Sequence, residues 1–326
     1  MWGPAPQPVV LAAPAVLARK WVGAHVSAAG GIERAVVNAA AIGARAFALD
    51  TRSKRRWETP PLDPARAEAF RAACAAFGFS PSQILPHGSY LVNLGSQDED
   101  LLAKSYTAFV GELRRCEAMG IQLFNIHPGT TSGMCDPEVS MRGISAAINR
   151  ALAETRGVCV VLENVAGQGS SVGHSFEQLK FMIELVDDKS RIGVCLDTCH
   201  LFAAGYDVST RESYEQTIRS FDEVVGLHFL KGMHINDSKC ALGSRKDRHE
   251  NIGRGMIGIE CFKHLMNDPR LDGIPLIVET PVACKGPALD YKRSLAAAAP
   301  VFKQAEADVG QSTQKHDVAL LYSLVR

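Results

Sequence analysis

Eight times along the chain a short apolar, β-branched run is followed by an amphipathic stretch, and no other feature of the sequence restricts the fold so sharply. The apolar runs fall at 22–26, 46–49, 83–85, 123–126, 159–162, 192–196, 230–235 and 276–278. Stretches with helical periodicity follow, as at 32–42, 65–77, 100–119 and 141–155. Strands alternating with helices imply a parallel sheet, because each helix must carry the chain back to the starting edge. Eight such units closed on themselves form a (β/α)8 TIM barrel, an α/β fold. The 326 residues would allow two domains, but barrels of roughly 250 residues commonly form one, so a single domain is expected. An open doubly wound sheet would carry a glycine-rich phosphate loop after its first strand. The segment Ser27-Ala28-Ala29-Gly30-Gly31 lacks that spacing.

The two ends have a different texture. Residues 1–20 hold Pro4, Pro6, Pro8 and Pro14 and no acid, which predicts a disordered arm. Basic residues there follow the apolar run instead of preceding it, the reverse of a secretory signal. The barrel is expected over 21–303, and 304–326 is a tail that turns from polar to apolar. No apolar run approaches the roughly 20 residues needed to span a bilayer, so no membrane partner is expected. Nine cysteines, an odd number at irregular spacing, point to a reducing intracellular compartment. With 35 basic and 35 acidic side chains the formal charge is +0, which excludes binding nucleic acid through gross charge alone.

The residues at the strand ends carry the chemistry. In order they are His25, Asp50, His87, His127, Glu163, Asp197, His234 and Glu279, each able to ligate a metal. The chain has 10 histidines and 35 acids in 326 residues, about one in seven, so such a set is improbable by chance. Taken singly, a histidine there is most often a hydrogen-bonded core residue, and an acid a cap for the next helix. Convergence argues otherwise, because all eight positions meet at the C-terminal mouth of a barrel. Carboxylates crowded there repel one another unless cations compensate them. The imidazole and carboxylate mixture suits Zn2+ or a similar ion. Asp197-Thr198-Cys199-His200 adds a second imidazole three residues after a strand-end acid, and Asp247-Arg248-His249 adds two donors in the long loop after the seventh strand. That long glycine-bearing loop, 239–255, is expected to carry function.

Seven motifs together resemble the endonuclease IV family: Gly23-Ala24-His25-Val26-Ser27-Ala28-Ala29-Gly30-Gly31, Pro86-His87-Gly88-Ser89-Tyr90-Leu91, Asn125-Ile126-His127-Pro128-Gly129, Leu162-Glu163-Asn164, Cys195-Leu196-Asp197-Thr198-Cys199-His200, Met233-His234-Ile235-Asn236-Asp237 and Asp247-Arg248-His249. The resemblance runs in order from about residue 21 to 281. It implies a zinc-dependent endonuclease that cuts DNA on the 5′ side of abasic sites, trims 3′ blocking groups and acts as a monomer wherever DNA is kept. It also implies three Zn2+ per chain. One would be held by His87, His127 and Glu163, a second by Glu163, Asp197, His234 and Glu279, and a third by His200, Asp247 and His249. Glu279 and Glu163 would be the catalytic residues, and Arg55, Tyr90 and Leu91 the DNA-binding side chains that enter the duplex.

Asp50 and Gly88 depart from the family pattern, where an aromatic residue and an aspartate are expected. Neither is a ligand in the implied set. Two other readings stay open at this level: a sugar isomerase or epimerase on the same barrel, and a DNA-damage binding protein without catalysis. The isomerase would need only one or two metals and would leave His200, Asp247 and His249 without a task.

Overall fold

The computed structural model describes residues 19–281 and 313–325. Seven parallel strands form one sheet: β1 (Trp21–His25), β2 (Ala46–Ala48), β3 (Leu123–Ile126), β4 (Cys159–Glu163), β5 (Ile192–Asp197), β6 (Leu230–His234) and β7 (Pro275–Val278), in the order β2-β1-β7-β6-β5-β4-β3. The expected third strand at 83–85 is not one. Pro81–Gln83 make a 3-10 turn, and the pairing that follows is limited to two isolated bridges, Phe47 with Ile84 and His87 with Asn125. Pro86 lies between them and has no N–H to give, which prevents a continuous ladder.

Even so, this segment joins the sheet's two edges. Leu85 N donates to Phe47 O at 3.0 Å, while Asn125 N donates to Pro86 O at 2.9 Å and Gly88 N to Asn125 O at 2.8 Å. The barrel therefore closes through 84–88. Inside it sit Ala46, Ala48, Leu85, Leu123, Val161, Cys195 and Ile277. The walls approach closely at one point: a Cβ at Gly23 would lie 1.6 Å from Ala46 O, so only glycine fits there.

The helices cover the outer face. They are α1 (Arg34–Ala41), α2 (Pro64–Phe77), α3 (Glu99–Met119), α4 (Pro137–Glu154), α5 (Phe176–Glu184), α6 (Thr198–Ala204), α7 (Arg211–Val224), α8 (Ile259–Asn267) and α9 (Thr313–Ser323). Their ends follow local chemistry. Asp63 caps α2 by accepting from Ala65 N, with Pro64 at the first helical position, and Asp98 caps α3 through Leu101 N. The larger apolar core lies between these helices and the strands, where Phe47 meets Phe79 edge-on at 5.0 Å.

Both regions left aside by the sequence pattern contribute to the barrel in part. Residues 1–18 lie outside the described residues, but Lys20 is buried and its Nζ is 2.8 Å from Asp272 Oδ1. Within the tail, 304–312 lies outside the described residues, whereas α9 packs on β1 and buries Val318 and Leu321. Asp317 on α9 accepts from Thr280 Oγ1 at 2.6 Å and Asn251 Nδ2 at 2.8 Å. Among the described residues no helix is long and apolar enough to cross a membrane.

Candidate metal centre

Glu163, at the end of β4 and fully buried, is the hub of the barrel mouth. Its Oε2 is 3.2 Å from His87 Nε2 and 3.6 Å from His127 Nε2, while its Oε1 is 3.0 Å from His234 Nδ1. One carboxylate thus faces two sets of donors. His87, His127 and Glu163 form the first; Glu163, Asp197, His234 and Glu279 form the second, with donor atoms in each set within 4.8 Å of one another. Strand geometry explains the convergence: Asp197 and His234 are register partners on adjacent parallel strands, and Glu163 ends the next strand opposite Cys195, two residues before Asp197.

A third set comes from helix and loop. His200 lies in the first turn of α6, whose N-cap is Asp197: the Asp197 carboxylate accepts from His200 N at 2.9 Å, so a candidate ligand doubles as a helix cap. His200 Nε2 faces Asp247 Oδ2 at 3.3 Å, and His249 Nε2 faces Asp247 Oδ1 at 3.2 Å. The loop bearing these residues is pinned by a short antiparallel ladder between Asp237–Ser238 and His249–Glu250. Asp237, also buried, accepts from Gly255 N and Ile257 N, at 2.9 and 3.0 Å.

Three asparagines, quoted in the motifs without a role, hold the acids in place. Asn125 Nδ2 donates to Glu163 Oε2 at 2.5 Å, Asn236 Nδ2 to Asp197 Oδ2 at 2.7 Å, and Asn164 Oδ1 accepts from Asp197 N at 2.6 Å. Asn236 Oδ1 also accepts from Glu279 N at 2.8 Å. Each asparagine stands within two residues of a candidate ligand on the same strand end, and that adjacency was the available signal.

The donor chemistry fits divalent cations. His200 Nε2 and His249 Nε2 are buried without a hydrogen-bond partner, although each looks onto the Asp247 carboxylate. Unpaired buried nitrogens of this kind are costly unless something else fills them. The charges agree. Burial opposes protonation of His234, but Glu163 and Glu279 override it and push the imidazole up to about 9. Burial likewise opposes charge on His249, yet Asp197 and Asp247 push it up to about 9. Burial disfavours ionised Glu163 too, and the surrounding histidines hold it well below the usual carboxylate range. The cluster thus favours positive charge among its acids.

Two of the eight strand-end residues stand outside all three sets. His25 lies behind Glu279, its Nδ1 3.1 Å from Glu279 Oε1, and its Nε2 is 3.0 Å from Asp50 Oδ1. Asp50 also pairs with Lys54 at 2.8 Å, which gives this unexpected acid two partners. Gly88 packs against the strand beside it: a Cβ there would meet Ile126 Cγ2 at 2.9 Å and Phe124 Cζ at 3.2 Å. Cys199 Sγ also comes within 4.8 Å of donors on Asp197 and His249, but burial pushes its thiol up to about 12. At the rim Arg55 is exposed, Leu91 is half-buried and Tyr90 is 67% exposed, an unusual fraction for a large aromatic side chain.

Fold and site together define a TIM barrel of the xylose isomerase-like kind, and the family model described as "Xylose isomerase-like TIM barrel" matches residues 36–301. Within that class one branch is singled out. The chain is 53% identical over 262 residues to "Probable endonuclease 4" of Chlorobium luteolum, covering 80% of this chain and 94% of the relative. The crystal structure of endonuclease IV from Thermus thermophilus superposes with a TM-score of 0.71 at 35% identity, covering 88% of this chain and 98% of that one. The chain belongs to the endonuclease IV family. D-psicose 3-epimerase from Clostridium cellulolyticum, at 14% identity and a TM-score of 0.62 over 91% of this chain and 93% of its own, shares the fold alone.

Proposed function

We infer that this protein is a DNA-repair endonuclease that hydrolyses the phosphodiester on the 5′ side of an abasic site, leaving a 3′-hydroxyl and a 5′-deoxyribose phosphate, and that also removes 3′ blocking groups. The observation that carries the reading is the meeting of three donor sets around one mouth, two of them sharing Glu163. His87, His127 and Glu163 would hold one Zn2+, Glu163, Asp197, His234 and Glu279 a second, and His200, Asp247 and His249 a third. Bound there, the ions would lower the pKa of water toward neutrality and offset the charge of the phosphate.

The side chains supply orientation, proton handling and shape. Glu279 is steadied by His25 at 3.1 Å and lies 3.3 Å from His234 Nδ1, which suits it to orient the attacking water and accept its proton. Glu163, fixed by Asn125, keeps the first two sets at a constant separation. A cavity of about 260 Å³ lined by His87, Tyr90, His127, Gln168, His200 and Asp247 has room for a small extrahelical sugar phosphate. A sugar without a base is weakly stacked, so swinging it out is less costly than flipping an intact nucleotide. Arg55, Tyr90 and Leu91 would then fill the gap and hold the duplex bent. The protein would act as a monomer on double-stranded DNA, in whichever intracellular compartment holds it.

The test is cleavage of a duplex oligonucleotide with one abasic site, run with the purified protein, after chelation, and after zinc is restored. Incision 5′ to the site that is lost on chelation and recovered with zinc is the expected result. An intact duplex under all three conditions refutes the reading. Epimerisation of a ketose without DNA cleavage would establish the isomerase alternative.

A further inference from the structure

One buried acid has no place in the three donor sets. Glu112 sits on the inner face of α3, one turn from Phe109 and Cys116, and is 1% exposed. Its carboxylate reaches two different loops. Oε1 accepts from Ser89 N at 3.4 Å and lies 3.9 Å from Arg52 Nε, while Oε2 accepts from Thr51 Oγ1 at 3.4 Å. Ser89 begins the turn that presents Tyr90 and Leu91; Thr51 and Arg52 begin the loop that presents Arg55.

Further bonds join the loops to each other, brace the 51–57 loop internally and tie it to α3. Ser89 Oγ donates to Lys54 O at 3.3 Å, Arg52 Nη2 donates to Trp57 O at 2.7 Å, and Arg115, one turn along α3, donates to Thr51 O at 3.4 Å. The position matters because the barrel wall is weakest here. The β2 edge and β3 meet only through 84–88, with two isolated bridges, so strand pairing alone fixes these two loops poorly.

We propose that Glu112 is a positioning residue that clamps the 51–57 and 88–91 loops into a single preformed DNA-facing surface. The inference rests on the proposed DNA function for its purpose, but not for its geometry. Ordering the two loops before DNA arrives removes that entropic cost from binding, so the benefit should fall on affinity and not on the chemical step.

The test compares the zinc-loaded parent with Glu112→Leu and Glu112→Gln. Amide hydrogen exchange without DNA reads the clamp directly, and turnover on the abasic duplex reads its consequence. In Glu112→Leu, exchange at 51–57 and 88–91 should quicken by about tenfold or more, the factor expected when hydrogen bonds to a buried charge are lost. KM should rise by a similar factor, with kcat and zinc content held. Glu112→Gln keeps an oxygen for Ser89 N and should restore most of both. If Glu112→Leu fails to fold, Thr51→Val, which removes the hydroxyl that donates to Oε2, must quicken the same amides from the loop side. Unchanged exchange in both loops, or a fall in kcat accompanied by zinc loss, overturns the proposal. Failure of the parent to cut abasic DNA would instead refute the functional reading and leave the exchange result to decide the clamp.

Discussion

Glu112→Gln should make the protein more stable as the pH rises, although it removes an ion-paired acid. Burial pushes the Glu112 carboxyl up from 4.5 to about 7, a rise that Arg52, Ser89 N–H, Thr51 and Lys54 reduce without cancelling. A folded-state pKa above the unfolded one means that the group's contribution is fully present below the unfolded value and is lost as pH climbs through the folded one. A rise of that size is worth about 3 kcal/mol in total. Roughly 2 kcal/mol of that falls between pH 5.5 and 8.5, where a neutral glutamine loses nothing. For a barrel of this size the difference corresponds to a Tm gain for the glutamine variant that grows by about 3 °C across the window.

Thermal denaturation of both proteins at fixed zinc gives the assay, since the mouth histidines titrate in both and cancel in the difference. A difference flat in pH would mean that Glu112 ionises as freely folded as unfolded. One that moves toward the parent at high pH would show that its ion pair with Arg52 outweighs burial. Either result would refute the reasoning. The expected result would identify a carboxylate that lowers stability at neutral pH and is retained for what it holds.

Changes at the mouth and rim have distinct signatures. His200→Ala should lower bound zinc by about one ion per chain, measured by elemental analysis of the dialysed protein; an unchanged content would dissolve the third set. Glu279→Gln should retain binding to abasic duplex yet slow cleavage by about two orders of magnitude or more, read in single-turnover assays, and near-parent turnover would remove its role as proton acceptor. Tyr90→Ala should weaken preference for abasic over intact duplex by roughly 1–3 kcal/mol in competition binding; equal preference would direct attention to Leu91 or Arg55. Gly88→Asp would press a Cβ to 2.9 Å from Ile126 Cγ2 and should lower stability by about 1–3 kcal/mol, whereas a parent-like melt would mean that Ile126 gives way.

Seven of the nine candidate ligands are legible because each ends an apolar run or follows one by a few positions, and barrel topology makes distant strand ends neighbours; Asp247 and His249, far along the loop after the seventh run, are legible only through their paired donor types. The third strand is not, because Ile84 and Leu85 are apolar enough to suggest one, while Pro86 removes the donor that would extend it. Hydrophobic pattern does not report hydrogen-bond direction, so the asparagines beside Glu163, Asp197 and Glu279 can be read as motif letters but not as clamps. Glu112 leaves a trace, an acid within the buried stripe of Phe109, Leu113 and Cys116, but its two loop partners are 61 and 23 residues distant. Helix α9 is obscured for a different reason: its buried positions are Asp317, Val318 and Leu321, and a buried acid at the head of a nearly continuous apolar run leaves no amphipathic stripe to mark a helix.

That helix has a bearing on how the chain acquires its shape. Gln314 donates to His25 O and Tyr322 to Val22 O, across separations of 289 and 300 residues. Among the described residues these are bonds between the beginning and the far end of the fold, so β1 emerges from the ribosome long before the helix that covers it exists. Asp317 meanwhile binds Thr280, beside Glu279, and Asn251, two residues from His249. Covering the first strand and fastening the neighbours of Glu279 and His249 are therefore one late event. A nascent chain can build much of the barrel before then, but it is only when α9 docks that its mouth acquires its final support.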